Sequence, residues 1–89
     1  MAVYGAGMHT RYLMDLVDLA PTVSCVIDSD PAKRGEPFLR WRVESPAALE
    51  RLDLDALVIS THAFEEEVYR AVAPIAAARG FEVVRCYSE

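Results

Sequence analysis

The sequence predicts a three-layer α/β domain, in which an open parallel sheet of about five strands, in the order 3-2-1-4-5, lies between two layers of helices. Two observations predict it. Apolar runs suited to buried strands alternate along the chain with segments of helical periodicity, which is the pattern of repeated strand–helix–strand units. The connections are short, and right-handed crossovers between parallel strands place helices on both faces of the sheet.

Size and charge limit the function. Residues 1–89 are expected to form a single domain, either a minimal one or one cut from a longer chain. Hydrophobic residues make up 53% of the chain, which suffices for a core. The net charge of −5 argues against nucleic acid or an anionic membrane as a partner, because both require clustered cations. No signal peptide, lipidation motif or transmembrane run is recognised, so a cytoplasmic location is expected.

The predicted elements follow one another along the chain. The strands cover residues 1–4, 23–27, 41–43, 56–60 and 81–86, and the helical segments cover residues 8–20, a turn from residue 31, residues 45–52, and a long segment from residue 62 to 79. In the first helix, the periodicity directs Met8, Tyr12 and Leu13 inward. Pro74 should kink or split the last helix, and Gly80 should end it.

A glycine turn between the first strand and the first helix carries the strongest functional signal. Glycines permit a tight turn and let main-chain N–H groups approach a phosphate, and the start of the helix adds partial positive charge. We therefore expect a phosphate to meet residues of this turn, namely Gly5, Ala6, Gly7, Met8, His9 and Thr10. Thr10 stands where a G-x-G-x-x-G pattern has its third glycine, and its side chain either packs against the strand or contacts the ligand.

Asp28 follows the second strand, about twenty residues after the glycine turn. A carboxylate at this place can accept hydrogen bonds from a ribose diol, and it would repel a 2′-phosphate, which favours NAD over NADP. The alternative is a turn residue that caps the following loop, and the run from Asp28 to Pro31 favours that alternative.

Polar residues after the fourth strand are expected beside the same site. The first and fourth strands should be neighbours, so His9 and the segment Ser60, Thr61 and His62 should line one crevice. Thr61 or His62 is expected to cap the next helix, and Ser60 and Thr61 are expected either to cap a helix or to bind the ligand. No nucleophile elbow accompanies them and no spacing suits a metal, so no catalytic or metal-binding residue is assigned.

The run from Glu65 to Glu67 is interpreted as the solvated first turn of the last helix, where the helix dipole favours negative charge.

Two other functions are weighed against nucleotide binding. Phe38 and Trp41 would form an exposed edge on which a second chain could dock, which favours a protein-interaction or regulatory domain with a vestigial pocket. The acid after the second strand also suits a SAM-dependent methyltransferase, although the chain lacks the additional strands that such enzymes use.

Four segments carry a resemblance to known families: residues 3–7, residues 26–31, Gly35 and residues 43–46. Their arrangement resembles the Rossmann-like N-terminal domain of bacterial sugar O-acyl- and N-acetyltransferases, which holds a nucleotide-sugar. It also resembles the NAD-binding half of the Gfo/Idh/MocA oxidoreductases. A similar accessory module accompanies C-methyltransferase and glycosyltransferase proteins.

The resemblance implies a nucleotide-binding module of a sugar- or small-molecule-modifying protein, not catalytic by itself, that takes NAD or a UDP-sugar type nucleotide. By this likeness residues 5–7 would meet the phosphate, Asp28 the ribose or uridine, and residues 60–62 the border of the pocket. Thr10 and the short first strand depart from the pattern. Transferase or oxidoreductase chemistry would have to come from a larger parent chain or a partner, and a homodimer or larger oligomer is a further expectation.

Overall fold

The computed structural model describes residues 1–16 and 20–86. In these residues the chain forms six strands, which are β1 (Ala2–Tyr4), β2 (Cys25–Ile27), β3 (Pro37–Phe38), β4 (Trp41–Glu44), β5 (Ala56–Ile59) and β6 (Glu82–Arg85). The α-helices are α1 (Met8–Leu16) and α2 (Glu65–Arg79), and 3₁₀ helices cover Ala20–Thr22 and Pro46–Glu50. The predicted first helix over residues 8–20 includes residues 17–19, which lie outside the described residues.

The strands form one open sheet in the order β3-β4-β2-β1-β5-β6. All neighbouring pairs are parallel except β3 and β4, which are antiparallel. The predicted five-strand order 3-2-1-4-5 was therefore wrong, because it left out β3. Tyr4 at the end of β1 pairs with Ile27 on β2 and with Ile59 on β5. The carboxyl ends of these three strands consequently lie level with one another, and they form the edge on which the candidate site is built.

A two-residue hairpin creates the unpredicted strand β3. Phe38 pairs with Trp41 across the turn, and Leu39 in the turn has a φ of 54°. Leucine seldom adopts a positive φ, so its presence gives no local signal for a hairpin of this kind.

Two of the four predicted helical segments do not form α-helices. The segment from residue 31 is a turn, closed by a hydrogen bond from the Lys33 N–H to the Asp30 carbonyl. In the segment over residues 45–52, Pro46–Glu50 forms a 3₁₀ helix, at whose start the Ala48 N–H bonds to the Ser45 carbonyl three residues earlier. Both segments lie in short connections to the next strand, and α-helices of so few residues have little stability by themselves.

α2 runs unbroken past Pro74, so the helix is not split there, which was one of the two expected effects. Pro74 is exposed, so the carbonyl group that it leaves without an intrahelical donor lies on the solvent side of the helix. Gly80 ends the helix as predicted, with a left-handed φ of 81° and an N–H that bonds to the Ala76 carbonyl.

Each face of the sheet has its own core. Along β1, Ala2 and Tyr4 belong to one hydrophobic cluster and Val3 belongs to the other, as the two-residue period of a strand requires. The first cluster includes Val72 of α2 and the second includes Met14 of α1. The sheet is therefore covered on both faces, which explains why its central strands β1, β2 and β5 are continuously apolar.

α1 buries only part of the predicted face, on which Leu13 packs against the core as expected. Met8 is 65% exposed and Tyr12 is 59% exposed, so the inward orientation expected of both was wrong. Thr10 and Met14, one turn apart, are buried in their place. The side chain of Met8 is instead presented at the carboxyl edge of the sheet.

The two aromatic residues expected to form a docking edge are turned into the domain. Phe38 is only 5% exposed, and the Arg11 guanidinium lies 4.9 Å from the centroid of its ring. Trp41 is half-buried, and its Nε1–H donates to the Val23 carbonyl at 3.1 Å. The expected exposed edge is therefore not formed by these side chains.

The turn at Leu39 provides a test of the hairpin. Replacing Leu39 with Asn should raise the free energy of unfolding by about 0.5–1 kcal/mol, because asparagine tolerates the left-handed conformation better than leucine. Urea unfolding followed by Trp41 fluorescence measures the change. Leu39→Val is the control and should lower stability, and a stabilising effect of valine would contradict the assigned backbone.

Candidate functional site

A cleft of about 670 Å³ opens at the carboxyl edge of the sheet, beside the ends of β1, β2 and β5. Clefts at this edge, where the chain turns to opposite sides of the first strand, are where open parallel sheets bind ligands. All ten residues predicted to contact a ligand line this cleft: Gly5, Ala6, Gly7, Met8, His9, Thr10, Asp28, Ser60, Thr61 and His62. Their spatial convergence is observed, while contact with a ligand stays a prediction.

The two glycines of the turn differ in whether the structure requires a residue without a side chain. Gly5 has a φ of 121°, a conformation that strains any residue with a side chain. Gly7 has no such constraint, and a Cβ atom added to it would meet no atom within 4 Å. Neither backbone conformation nor protein packing requires glycine at position 7. Its lack of a side chain leaves open space at the start of α1.

The side chain of Asp28 is used to hold the glycine turn. One carboxylate oxygen accepts the Ala6 N–H at 2.9 Å, and the other accepts the Asp30 N–H at 2.9 Å. Each oxygen thus has a main-chain donor before any ribose arrives, which favours the alternative of a turn residue. The Ala6 N–H is likewise committed to Asp28, although the sequence suggested that it would meet a phosphate.

Lys33 completes a clamp around Ala6. Its Nζ donates to the Ala6 carbonyl at 2.9 Å and lies 3.7 Å from the nearer Asp28 carboxylate oxygen. Both main-chain polar groups of Ala6 are therefore bound by side chains from the segment after β2. Sequence reasoning missed Lys33, because its distance from the turn along the chain gives no signal of this contact.

A chain of hydrogen bonds links His9 to the buried start of the turn. Thr10 Oγ1 donates to the Gly5 carbonyl at 2.5 Å, so its single hydrogen is used there. Ser60 Oγ, 2.5 Å from Thr10 Oγ1, must then be the donor in that contact. Ser60 in turn accepts from His9 Nδ1–H at 3.1 Å. This direction requires that His9 Nδ1 carry a hydrogen.

For Thr10, the same chain favours packing over contact with a ligand, which stays a prediction. Its side chain is 1% exposed, and its hydroxyl is bonded to the Gly5 carbonyl and to Ser60. Ser60 is also 1% exposed, and it joins the end of β5 to α1. It does not cap α2, which begins four residues after Thr61.

α2 begins without any of the predicted caps. Its N-cap residue is Phe64, which makes no side-chain capping hydrogen bond, so Thr61 and His62 lie in the loop that precedes the helix. Thr61 is half-buried and His62 is exposed, and both line the cleft as expected. Phe64 also lines it and is 60% exposed.

The first turn of α2 is acidic as predicted, but the interpretation that all of it is solvated was wrong. Glu65 is only 4% exposed and pairs with Arg85 at the end of β6, where Nε and Oε1 are 3.3 Å apart. Hydrogen bonding to Arg85 lowers the pKa of Glu66, and the same contact raises the pKa of Arg85. Arg85 also lies 4.3 Å from the ring centroid of Tyr69. This network fixes α2 to the last strand.

Burial changes the acidity of the Tyr4 phenol. Tyr4 is 6% exposed and lines the cleft, and its desolvation raises the pKa of the phenol. A hydrogen bond with Ser29 opposes this rise in part, and the charge of Asp28 adds a smaller rise. Tyr4 is therefore a neutral phenol in the cleft at ordinary pH.

The described part of the chain contains neither a metal-binding cluster nor a membrane-spanning helix. Within residues 1–16 and 20–86, no group of three or more His, Cys, Asp or Glu side chains is arranged to hold a metal ion. No described helix is both long and apolar enough to cross a membrane.

Thr10 and Ser60 should be energetically coupled. Thr10→Val should lower the free energy of unfolding by about 1–3 kcal/mol, because it leaves the buried Gly5 carbonyl and the Ser60 hydroxyl short of a partner. Ser60→Ala should cost a similar amount, and the double variant should cost less than the sum. Urea unfolding of the four proteins gives the coupling. Strict additivity would contradict the proposed hydrogen-bond chain.

Comparison with known proteins connects the chain to one family. A family model described as C2185-like, N-terminal, matches residues 1–79. No curated protein and no solved structure matches the chain. The match does not concern the acyltransferase and oxidoreductase domains that the sequence motifs resemble, so that likeness stays a prediction. Because the match spans most of the 89 residues, the chain belongs to the C2185-like N-terminal domain family.

Proposed function

We propose that this domain binds a phosphate-bearing small molecule of the nucleotide class, and that by itself it is a binding module and not an enzyme. The observation that carries the proposal is the cleft at the carboxyl edge of the sheet, into which the start of α1 opens at Gly7. Its volume of about 670 Å³ lies within the range of small-molecule sites. NAD and nucleotide-sugars are the candidates that the sequence resemblance supplies.

The main-chain N–H groups of Gly7 and Met8 support an anionic ligand at the start of α1. They precede the Arg11 N–H, which donates the first described main-chain hydrogen bond of α1, to the Gly7 carbonyl. The first N–H groups of a helix have no partner within it, and they favour negative charge. The space left by the missing side chain of Gly7 allows a ligand to approach them closely.

Charge distinguishes the start of α1 from the start of α2. α1 has no acidic residue in its first turn, whereas α2 has Glu65, Glu66 and Glu67. Lys33 also lies beside α1 and offsets the charge of Asp28. A phosphate is therefore favoured at α1 and repelled from α2.

The direction of the hydrogen-bond chain supports binding over catalysis. A serine nucleophile must donate its proton to a neighbouring base. Ser60 instead donates to Thr10 and accepts from His9, and it is almost fully buried. The proposal therefore assigns no catalytic role to Ser60 and His9.

A cytoplasmic location belongs to the same proposal. Cys25 and Cys86 are free thiols, which suits a reducing compartment.

The competing interaction function depended on an exposed edge at Phe38 and Trp41. Since these side chains are turned into the domain, that alternative has no specific support.

Ligand-induced thermal stabilisation tests the proposal. NAD, AMP or UDP-glucose at 100 times its dissociation constant should add about 2.7 kcal/mol to the free energy of unfolding, which raises Tm by roughly 10 °C or more in a domain of this size. Differential scanning fluorimetry against each compound measures the rise. Adenosine and glucose, which lack phosphate, should give much smaller rises.

Two variants separate a specific site from a general effect. Gly7→Val fills the space at the start of α1 and should abolish the rise measured from its own ligand-free Tm. Ala77→Val adds the same side chain at an exposed position on α2 and should keep the full rise. The absence of any rise with all three nucleotides, or an equal rise in Gly7→Val, would overturn the proposal.

A further inference from the structure

Exposed apolar side chains mark one half of the cleft. Phe64 is 60% exposed and Met8 is 65% exposed, and both line the cleft. They are two of the five large hydrophobic residues described as exposed, the others being Tyr12, Leu39 and Val84. Apolar surface that is left open inside a concave site becomes favourable when a ligand covers it.

The part of the cleft lining that follows Phe64 along α2 is also apolar. Val68 and Ala71 line the cleft, and with Phe64 they are spaced four and three residues apart, which places them on one face of α2. Val68 is 8% exposed and belongs to the core beneath, so this wall is anchored. The three side chains form an apolar strip along the α2 side, which we call the α2 strip.

The opposite half of the cleft is polar. There the lining residues are Asp28, Ser29, Asp30 and Lys33. Asp28 and Lys33 are bound to each other and to the main chain of Ala6, so they are engaged in holding the turn. These four side chains are charged or carry a hydroxyl group, and the ring of Tyr4 beside them is almost fully buried.

Charge limits what can lie on the α2 strip. The carboxylate of Glu67 lines the same end of the cleft as the α2 strip. A phosphate or carboxylate placed there would be repelled, whereas a neutral group would not. The anionic part of a ligand must then lie at α1, at the other end.

We propose that the α2 strip, with Met8 on the α1 side, is a subsite for the neutral planar ring of the ligand, so that a nucleotide lies with its base toward α2 and its phosphate toward α1. This inference rests on the proposed function and assigns the orientation of the ligand within it. A nucleobase is the ring that suits the subsite. Its flat face stacks on an aromatic side chain, and the methionine thioether also packs favourably against rings.

Isothermal titration calorimetry with three probes tests the subsite. The probes are AMP, adenosine and inorganic phosphate, each titrated into the wild-type chain and into Phe64→Ala. The variant should bind AMP about tenfold more weakly, since one base–aromatic stack is lost. Its affinity for inorganic phosphate should not change. Phe64→Trp should bind AMP at least as tightly as the wild-type chain.

Tyr12→Ala is the matched control. Tyr12 is an aromatic residue of α1 with nearly the same exposure as Phe64, at 59%, and it is not among the described residues that line the cleft. Its removal should leave the affinity for AMP unchanged.

Each outcome decides a separate claim. If AMP binds with the same affinity to the wild-type chain and to Phe64→Ala, the orientation is overturned and nucleotide binding stands. If Tyr12→Ala weakens AMP as much as Phe64→Ala does, the subsite is likewise rejected. If no probe binds the wild-type chain, the proposed function fails and the orientation fails with it.

Discussion

The shape of the cleft depends on the clamp that holds Ala6. Asp28 accepts its N–H and Lys33 donates to its carbonyl, while on the other side Thr10 bonds to the Gly5 carbonyl. These contacts fix the main chain where it leaves β1 and enters α1. A turn that is already held by its own side chains needs little ordering when a ligand arrives, and this preorganisation favours binding. The start of α1 then faces a cleft that exists before the ligand does.

The fold could be predicted where one local pattern decides the structure. Continuous apolar runs identified β1, β2 and β5, and Gly80 correctly ended α2. The sequence failed where tertiary contacts decide. β3 depends on a hairpin that holds Leu39 at a φ of 54°, and the segment Pro46–Glu50 remains a 3₁₀ helix because its connection is short. On α1, the periodicity favoured Met8 and Tyr12 for burial, but hydrogen bonds allowed the polar Thr10 to be buried.

The site could be predicted in position more than in detail. The glycine turn and the polar residues after β5 were placed together from topology alone. The role of Asp28 could not be, because a carboxylate after β2 suits both a ribose and a main-chain N–H, and only coordinates show which donor it reaches. Lys33 and Glu65 were missed or misread for a similar reason. Their partners, Ala6 and Arg85, are distant in sequence.

The central claim is that Ala6 is bound by the protein while the donors at Gly7 and Met8 are offered to a ligand. Amide hydrogen exchange measured by NMR, with and without AMP, tests it most directly. The account predicts that the Ala6 amide exchanges slowly without ligand, and that the Gly7 and Met8 amides exchange rapidly until AMP slows them. Rapid exchange of Ala6 in the free protein would contradict the clamp. Unchanged exchange at Gly7 and Met8, at an AMP concentration that raises Tm, would contradict the binding site.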